Sequence, residues 1–407
     1  MFVSRRHFML GTAGALAGVM HARPGWPAQA VPLPDPRFTG PSWRPNSSLL
    51  RHLPQLLELA SVPGISLGIV EGGRLWCRGF GRAVQDPAQD ASDDTVFEAA
   101  SLGKPLFAYA VLRLVDAGVL DLDRPLYQYL PLSEANNPRM KRVTVRHVLS
   151  HTTGLPNWRQ QPGPLLPATE PGSRFSYSGE AYFYLQRVVE KTTGTSFARL
   201  MREQVLDPLG MKHSSFVWLP EFESHMAAGY DGRENRLDVQ GAIGRRTFAI
   251  AQEWHTPLSD WRYQQAARAV TLVNPDWPEL PLYIVPNAAT SLLTTVTDYA
   301  KFLTRLVASP PASGLALSDT TRKAMLTPQV RLNSALFWGL GWGIQRDEHG
   351  EMLWHWGANN SFRNFVMADP INGRAVVVFT NSVNGPRIYE RVIVAITGHD
   401  HPAFLWI

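Results

Sequence analysis

A small set of residues in this chain can do proton chemistry on a carbonyl carbon if the fold brings them together. The first two are Ser101 and Lys104, in the run Phe97-Glu98-Ala99-Ala100-Ser101-Leu102-Gly103-Lys104-Pro105. A serine hydroxyl is a weak nucleophile until a base takes its proton. A lysine held in a dry pocket can lose its charge and be that base. An apolar helical pattern follows through Tyr109, Leu112, Leu114 and Val115 and stops near Gly118. Residues three apart on a helix share a face, so a helix opening at Ser101 sets the Lys104 amine one turn from the hydroxyl. Free backbone N–H groups at such a helix start lie where an oxyanion would form. The same spelling also fits an ordinary helix start with a solvated lysine, so context decides.

Two further motifs supply context. Arg174-Phe175-Ser176-Tyr177-Ser178-Gly179-Glu180 precedes a predicted helix, which leaves Tyr177 in a loop where its phenol can enter a cleft. A tyrosine beside a neutral lysine can relay a proton to a leaving group; a packed structural tyrosine reads the same way. Trp354-His355-Trp356-Gly357-Ala358 closes a predicted strand. There an imidazole followed by a glycine offers a side chain and close backbone approach, or a half-buried structural histidine.

In this order the three motifs resemble the serine β-lactamase and penicillin-binding-protein superfamily, in its class C-like branch of esterases and D-alanyl-D-alanine carboxypeptidases. The runs Val143 to Pro156 (with His147 and His151), Pro208-Leu209-Gly210-Met211 and Asp298-Tyr299-Ala300-Lys301-Phe302-Leu303 carry the same resemblance, which extends from about Pro54 to the last helix. It implies an acylated nucleophile at Ser101, its base partner at Lys104 and proton transfer by Tyr177. His355 would stand in the place of the motif lysine. The backbone N–H groups of Ser101 and Ala358 would form the oxyanion hole, and the Lys104–Tyr177 pair would titrate as a unit. Two positions depart from the family pattern. Gly179 replaces an asparagine that bonds the amide side chain of peptides and β-lactams, and Trp356 replaces the motif threonine. Both changes remove polar contacts and add apolar bulk, which favours ester hydrolysis over β-lactam hydrolysis. The alternatives are a carboxypeptidase, a β-lactamase, and a penicillin-sensing or peptidoglycan-binding module that acylates without turnover.

Several elements must position these residues. Ile65–Val70 and Arg74–Phe80 read as a hairpin across Glu71-Gly72-Gly73. A leucine-spaced helix, Ser47 to Ala60, precedes it, capped by Ser47 or Ser48. The middle is mainly helical: Val143–Ser150 capped by Thr144, Gly179–Lys191, Thr195–Val205 and Thr297–Ser309. Strands return at Trp338–Gln345, Met352–His355, Phe362–Asp369 and Arg374–Thr380, before a last helix from about Arg387 to Ile396. Strands at both ends form one antiparallel sheet only if the helical region, about 105–295, is inserted between them. The expected class is therefore α/β (α+β): an antiparallel sheet flanked by helices, β-lactamase/transpeptidase-like, with the cleft at the junction. The weakly patterned stretch 230–286 reads as a segment lining a pocket or as an insertion with its own core.

Length and composition bound the rest. The 407 residues are 44% hydrophobic, enough for a large core. The net charge is +5, and three of those positives, Arg5, Arg6 and Arg23, lie in the first thirty residues. What remains is too small a surplus to argue for nucleic acid or a membrane surface. Cys77 is the only cysteine, which excludes an intrachain disulfide and a cysteine metal cage. No cofactor or metal is expected: His147 and His151 are four apart, but the glutamate of the zinc-protease pattern is replaced by Val148.

The arginine pair, the apolar run Phe8–Met20 and Ala28-Gln29-Ala30 read as a twin-arginine-type signal over residues 1–30. A proline-rich arm (31–46) and one hydrolase domain (47–407) follow. The expectation is an exported protein, periplasmic or extracellular, with no stable membrane insertion after signal cleavage. Its substrate would be a small-molecule ester, peptide or β-lactam.

Overall fold

The computed structural model describes residues 42–237, 239–277, 286–307 and 316–407. The signal-like segment and nearly all of the proline-rich arm lie outside the described residues.

A nine-stranded antiparallel sheet runs through the molecule. Its order is Gln89–Asp90, Arg74–Val84, Gly64–Glu71, Arg374–Thr380, Arg363–Asp369, Gly350–Ala358, Gly343–Asp347, Leu336–Trp338 and Val330–Arg331. The N-terminal hairpin therefore joins the C-terminal strands directly, with Ile65 opposite Thr380 and Val70 opposite Ala375. Side chains alternate between faces along a strand. Ile65, Leu67, Ile69, Val376 and Val378 face the helices Ser47–Ala60 and Pro386–Thr397. Val70, Ala375, Val377 and Phe379 face the helices Gly103–Asp116 and Val296–Val307. Both faces are covered, which explains strands that read as unbroken apolar runs. Gly68 is required for this layering, since a Cβ there would sit 2.5 Å from a methyl of Val296.

The helical region is inserted between the two sets of strands, as expected. Four local readings need correction. The first helix is capped by Asn46, whose side chain accepts from the Leu49 N–H, and not by Ser47 or Ser48. The helix after the Ser-x-x-Lys motif begins at Gly103, so Ser101 lies in the turn before it. Trp338–Gln345 is two strands, Leu336–Trp338 and Gly343–Asp347. The break comes at Gly341, with φ 86° and the Ala108 methyl 2.4 Å from where a Cβ would be. A short helix, Ala403–Trp406, follows the one expected to be last.

The 230–286 stretch holds two helices, Val239–Glu253 and Tyr263–Val273. They have a core of their own around Ile250, Trp261, Ala269 and Val270. Gly244 of the first also lines a cleft with Glu98, Trp218 and Asn359. Among the described residues no helix is long and apolar enough to cross a membrane.

Candidate active site

Ser101 is half-buried in a turn between the short strand Phe97–Ala100 and the helix Gly103–Asp116. The turn is tight: Ala100 has φ 52°, a left-handed conformation that side-chain-bearing residues rarely adopt. The Lys104 N–H donates to Ser101 O at 3.0 Å, which closes the turn. The Lys104 side chain is wholly buried, and its Nζ lies 2.9 Å from Ser101 Oγ and 2.8 Å from the Ala289 carbonyl. Burial holds the amine well below its ordinary range. A neutral amine has a lone pair, so at this distance it can take the serine proton.

Tyr177 lies in the coil before the helix Gly179–Thr193, half-buried as a residue and with its hydroxyl fully buried. The Lys104 Nζ sits 4.9 Å from the centre of its ring. Burial pushes the phenol above its usual range, and the neighbouring Ser101 hydroxyl partly offsets this without reaching hydrogen-bond geometry. The group therefore stays a phenol at neutral pH and is fitted to give a proton.

His151 fixes this loop, a role the sequence did not reveal. Its backbone has φ 54°. Its carbonyl accepts from the Ser176 N–H at 2.7 Å, and its Nδ1 accepts from the Ser178 N–H at 3.1 Å. Its ring stacks on Tyr177 at 4.2 Å. With Nδ1 accepting, the proton of the neutral ring sits on Nε2. Burial, and then Lys104 and His355, keep this imidazole neutral. It lies beyond the helix Val145–Leu149, whereas the His147 Nδ1 serves that helix's cap. The two do not form a metal pair, and no metal-holding group of three His, Cys, Asp or Glu exists among the described residues.

His355 is wholly buried on the strand Gly350–Ala358. Its Nδ1–H donates to Trp356 O at 2.8 Å, which leaves a lone pair on Nε2. Burial, with Lys104 second, lowers its pKa to about 3, although the bond to Trp356 works the other way. The side chain in the motif-lysine place is thus a neutral acceptor and not a cation. The Tyr177 hydroxyl, His151 Nε2 and His355 Nε2 are all buried without a hydrogen bond to described residues.

Gly357 lets this strand close on the serine turn, since a Cβ there would lie 2.1 Å from the Ala99 carbonyl. That approach sets Ala358, the next residue, beside the start of the serine turn. Trp356 is half-buried, with its ring 5.0 Å from Tyr177, and Trp354 and Trp406 pack against it. Gly179 opens its helix directly beneath the ring of Trp158. The structure therefore gathers Ser101, Lys104, Tyr177, His355, Trp356, Gly357, Ala358 and Gly179 around one junction of sheet and helices. Sequence reasoning missed His151 and Trp158. Its one available signal was a glycine where a side chain is usual, which marks close approach by another group.

The arrangement has known counterparts. The family model for beta-lactamase matches residues 49–398. "Protein flp" of Staphylococcus aureus strain MW2 is 24% identical over 384 residues, covering 89% of this chain and 68% of its own length. Esterase EstB of Burkholderia gladioli is 32% identical over 223 residues, 46% of this chain and 55% of EstB. The octameric penicillin-binding protein homologue from Pyrococcus abyssi superposes with a TM-score of 0.66 at 22% identity, covering 87% of this chain and 77% of that one. A class C beta-lactamase gives a TM-score of 0.65 at 17% identity, with 86% and 95% covered. The two superpositions show the shared fold, and the family match, spanning most of the chain, shows that the protein belongs to the beta-lactamase family of serine hydrolases.

Proposed function

We propose that the protein is an exported serine esterase that works through an acyl-enzyme on Ser101. The observation that carries the reading is the 2.9 Å contact between Ser101 Oγ and a wholly buried Lys104 Nζ whose basicity is set by burial. Lys104 as a neutral amine takes the hydroxyl proton while Ser101 Oγ attacks the ester carbonyl. The oxyanion is met by the N–H groups of Ser101 and Ala358. Tyr177, held as a phenol, gives its proton to the departing alkoxide and recovers one through Lys104. Water then attacks the acyl carbon and releases the acid, and Ser101 regains its proton. The opposite shifts of the two groups favour Lys104 as base and Tyr177 as acid.

Three features support esters over peptides and β-lactams. His355 offers a lone pair and no positive charge for a substrate carboxylate. Gly179 and Trp356 offer no polar side chain for an amide. The relative EstB is named an esterase. Export rests on the signal-like first thirty residues alone.

The test follows p-nitrophenyl butyrate hydrolysis by the mature protein and by Ser101→Ala. A steady rate that falls by about 10³-fold or more in the variant is expected. A rate left intact removes Ser101 as the nucleophile. D-Ala-D-Ala peptides and a chromogenic cephalosporin should give lower kcat/KM than the ester. Stoichiometric labelling of Ser101 by penicillin without turnover of any substrate would instead point to a sensor.

A further inference from the structure

The position that would hold a side chain facing the substrate amide is not empty space. A Cβ built on Gly179 would lie 2.1 Å from Cζ2 of Trp158, 2.5 Å from Cη2 and 2.6 Å from Cε2. These distances are far inside van der Waals contact, so the indole and a side chain at 179 exclude each other. The backbone on both sides of the indole is also fastened. Asn157 Oδ1 accepts from the Gly179 N–H and Asn157 O from the Glu180 N–H, both at 2.9 Å. On the other side of Trp158, the Arg159 N–H donates to Glu180 Oε2 at 2.9 Å and its guanidinium donates to Oε1 at 2.5 Å. Glu180 is buried, so this clip is shielded from water. Residues 157 and 159 are thus both fastened to the start of the helix, which fixes the backbone that carries Trp158.

The second departure is filled in the same way. Trp356 lies 5.0 Å from Tyr177 and is backed by Trp354 at 5.9 Å and Trp406 at 5.8 Å. Both places where polar recognition would occur carry half-buried indoles. The His355 imidazole, stacked on Trp356 at 5.3 Å, is a neutral acceptor, and the Arg159 guanidinium is engaged by Glu180.

We propose that Trp158 is a specificity-determining residue: it takes the place of a substrate-facing side chain at position 179. With Trp356, it selects acyl groups that carry a flat, aryl-type body and neither amide nor carboxylate beside the carbonyl. Aromatic faces favour offset or edge-on packing with a ring, and apolar contacts of this kind discriminate by about 1–3 kcal/mol, or roughly 10- to 200-fold. The proposal rests on the ester reading above, and it makes position 158, not position 179, the place from which specificity can be changed.

The experiment compares kcat/KM for p-nitrophenyl phenylacetate and p-nitrophenyl acetate in the mature protein, Trp158→Ala and Trp158→Phe. The wild-type ratio should favour phenylacetate by about 10-fold or more. It should collapse toward unity in Trp158→Ala and largely return in Trp158→Phe. A wild-type ratio near one, or the same ratio in Trp158→Ala, overturns the proposal. Calorimetric binding of benzylboronic and methylboronic acids, which engage a reactive serine without turnover, separates this outcome from failure of the ester reading. If no ester is hydrolysed but benzylboronic acid binds more tightly, and Trp158→Ala abolishes that preference, the Trp158 proposal stands while the esterase reading falls. If neither esters nor boronates engage Ser101, both fall. The double variant Trp158→Gly/Gly179→Asn should gain acylation by amide-bearing acyl donors relative to Gly179→Asn alone, where the indole blocks the new side chain. An equal response from the two overturns the proposed exclusion.

Discussion

Two turns meet at the catalytic junction, and they are held by different forces. The turn from Ala99 to Lys104 is closed by its own Lys104 N–H to Ser101 O bond and held from outside mainly by packing. Ala99, Ala100, Leu102 and Lys104 are fully buried, and Ala99 O lies against Gly357. Tyr299 donates to Leu102 O at 3.1 Å, and a Cβ on Gly103 would meet Phe216 at 2.9 Å. The left-handed Ala100 is kept there by its surroundings, at a cost of about 1–3 kcal/mol. The turn from Ser176 to Glu180 is held by hydrogen bonds: from Ser176 and Ser178 to His151, from Ser178 Oγ to Pro156 O, and from Gly179 and Glu180 to Asn157. Packing dries Lys104 and so lowers its pKa, which leaves the amine neutral and its lone pair free to accept a proton. The polar clip leaves Tyr177 and Trp158 partly open to a substrate while fixing where they stand. In the proposed reaction the first turn carries the nucleophile and its base, and the second carries the proton donor and fixes the backbone on which the discriminating indole is mounted.

The largest expected effect breaks the first turn's chemistry and spares its structure. Lys104→Met replaces a buried amine with an apolar chain of similar volume. We expect kcat/KM to fall by about 10³-fold or more, while the melting temperature holds or rises, because a buried polar group is often no more stabilising than its apolar isostere. A variant that unfolds would show that Lys104 is structural. In the wild type, activity should rise with pH as Lys104 sheds its proton, and that acid limb should vanish in the variant.

A smaller effect is expected from the second turn. Glu180→Gln removes the charge from the buried clip to Arg159. Weakening charge-assisted bonds of this kind costs about 1–3 kcal/mol of stability by urea unfolding. The phenylacetate-to-acetate ratio should drop with it, while Ser101 still acylates in a single-turnover burst. A lost burst would mean that the two turns are not separable.

This difference also explains what could be read from the chain. Ser101 and Lys104 are three residues apart, so their meeting is local and legible. The sheet was legible because Ile65–Val70 and Arg374–Thr380 are apolar on both faces. Tyr177 and His355 emerged only through the order of motifs. Trp158 was not legible: it lies 21 residues before Gly179, and its place depends on bonds from Asn157 and Arg159 that no periodicity encodes. His151 looked like half of a possible metal pair, because the left-handed turn that aims it at Tyr177 has no signature in side-chain type. The single strand read across Trp338–Gln345 failed for a related reason, since Gly341 bends the chain to let Ala108 of the helix Gly103–Asp116 approach.

The smallest effect concerns acid. His355 titrates at about 3 in the folded protein, against an ordinary 6.5, because burial disfavours its charged form. Above pH 6.5 it is neutral whether folded or not and has no influence on stability. As pH falls from 6.5 toward 3, the unfolded chain takes up a proton that the folded site refuses, so stability is lost across that window. At pH 5 the loss is about 2 kcal/mol, by about 1.4 kcal/mol per unit. His401, also buried and lowered to about 3, and His151, held well below its ordinary range, add losses of the same sign. Urea midpoints between pH 7 and pH 4.5 should therefore fall less steeply in His355→Asn than in the wild type. Equal slopes would mean that His355 is protonated in the folded site. A positive charge would then stand in the neighbourhood of Lys104, the preference against carboxylate-bearing substrates would reverse, and the proposed selectivity would have to be redrawn around a cation.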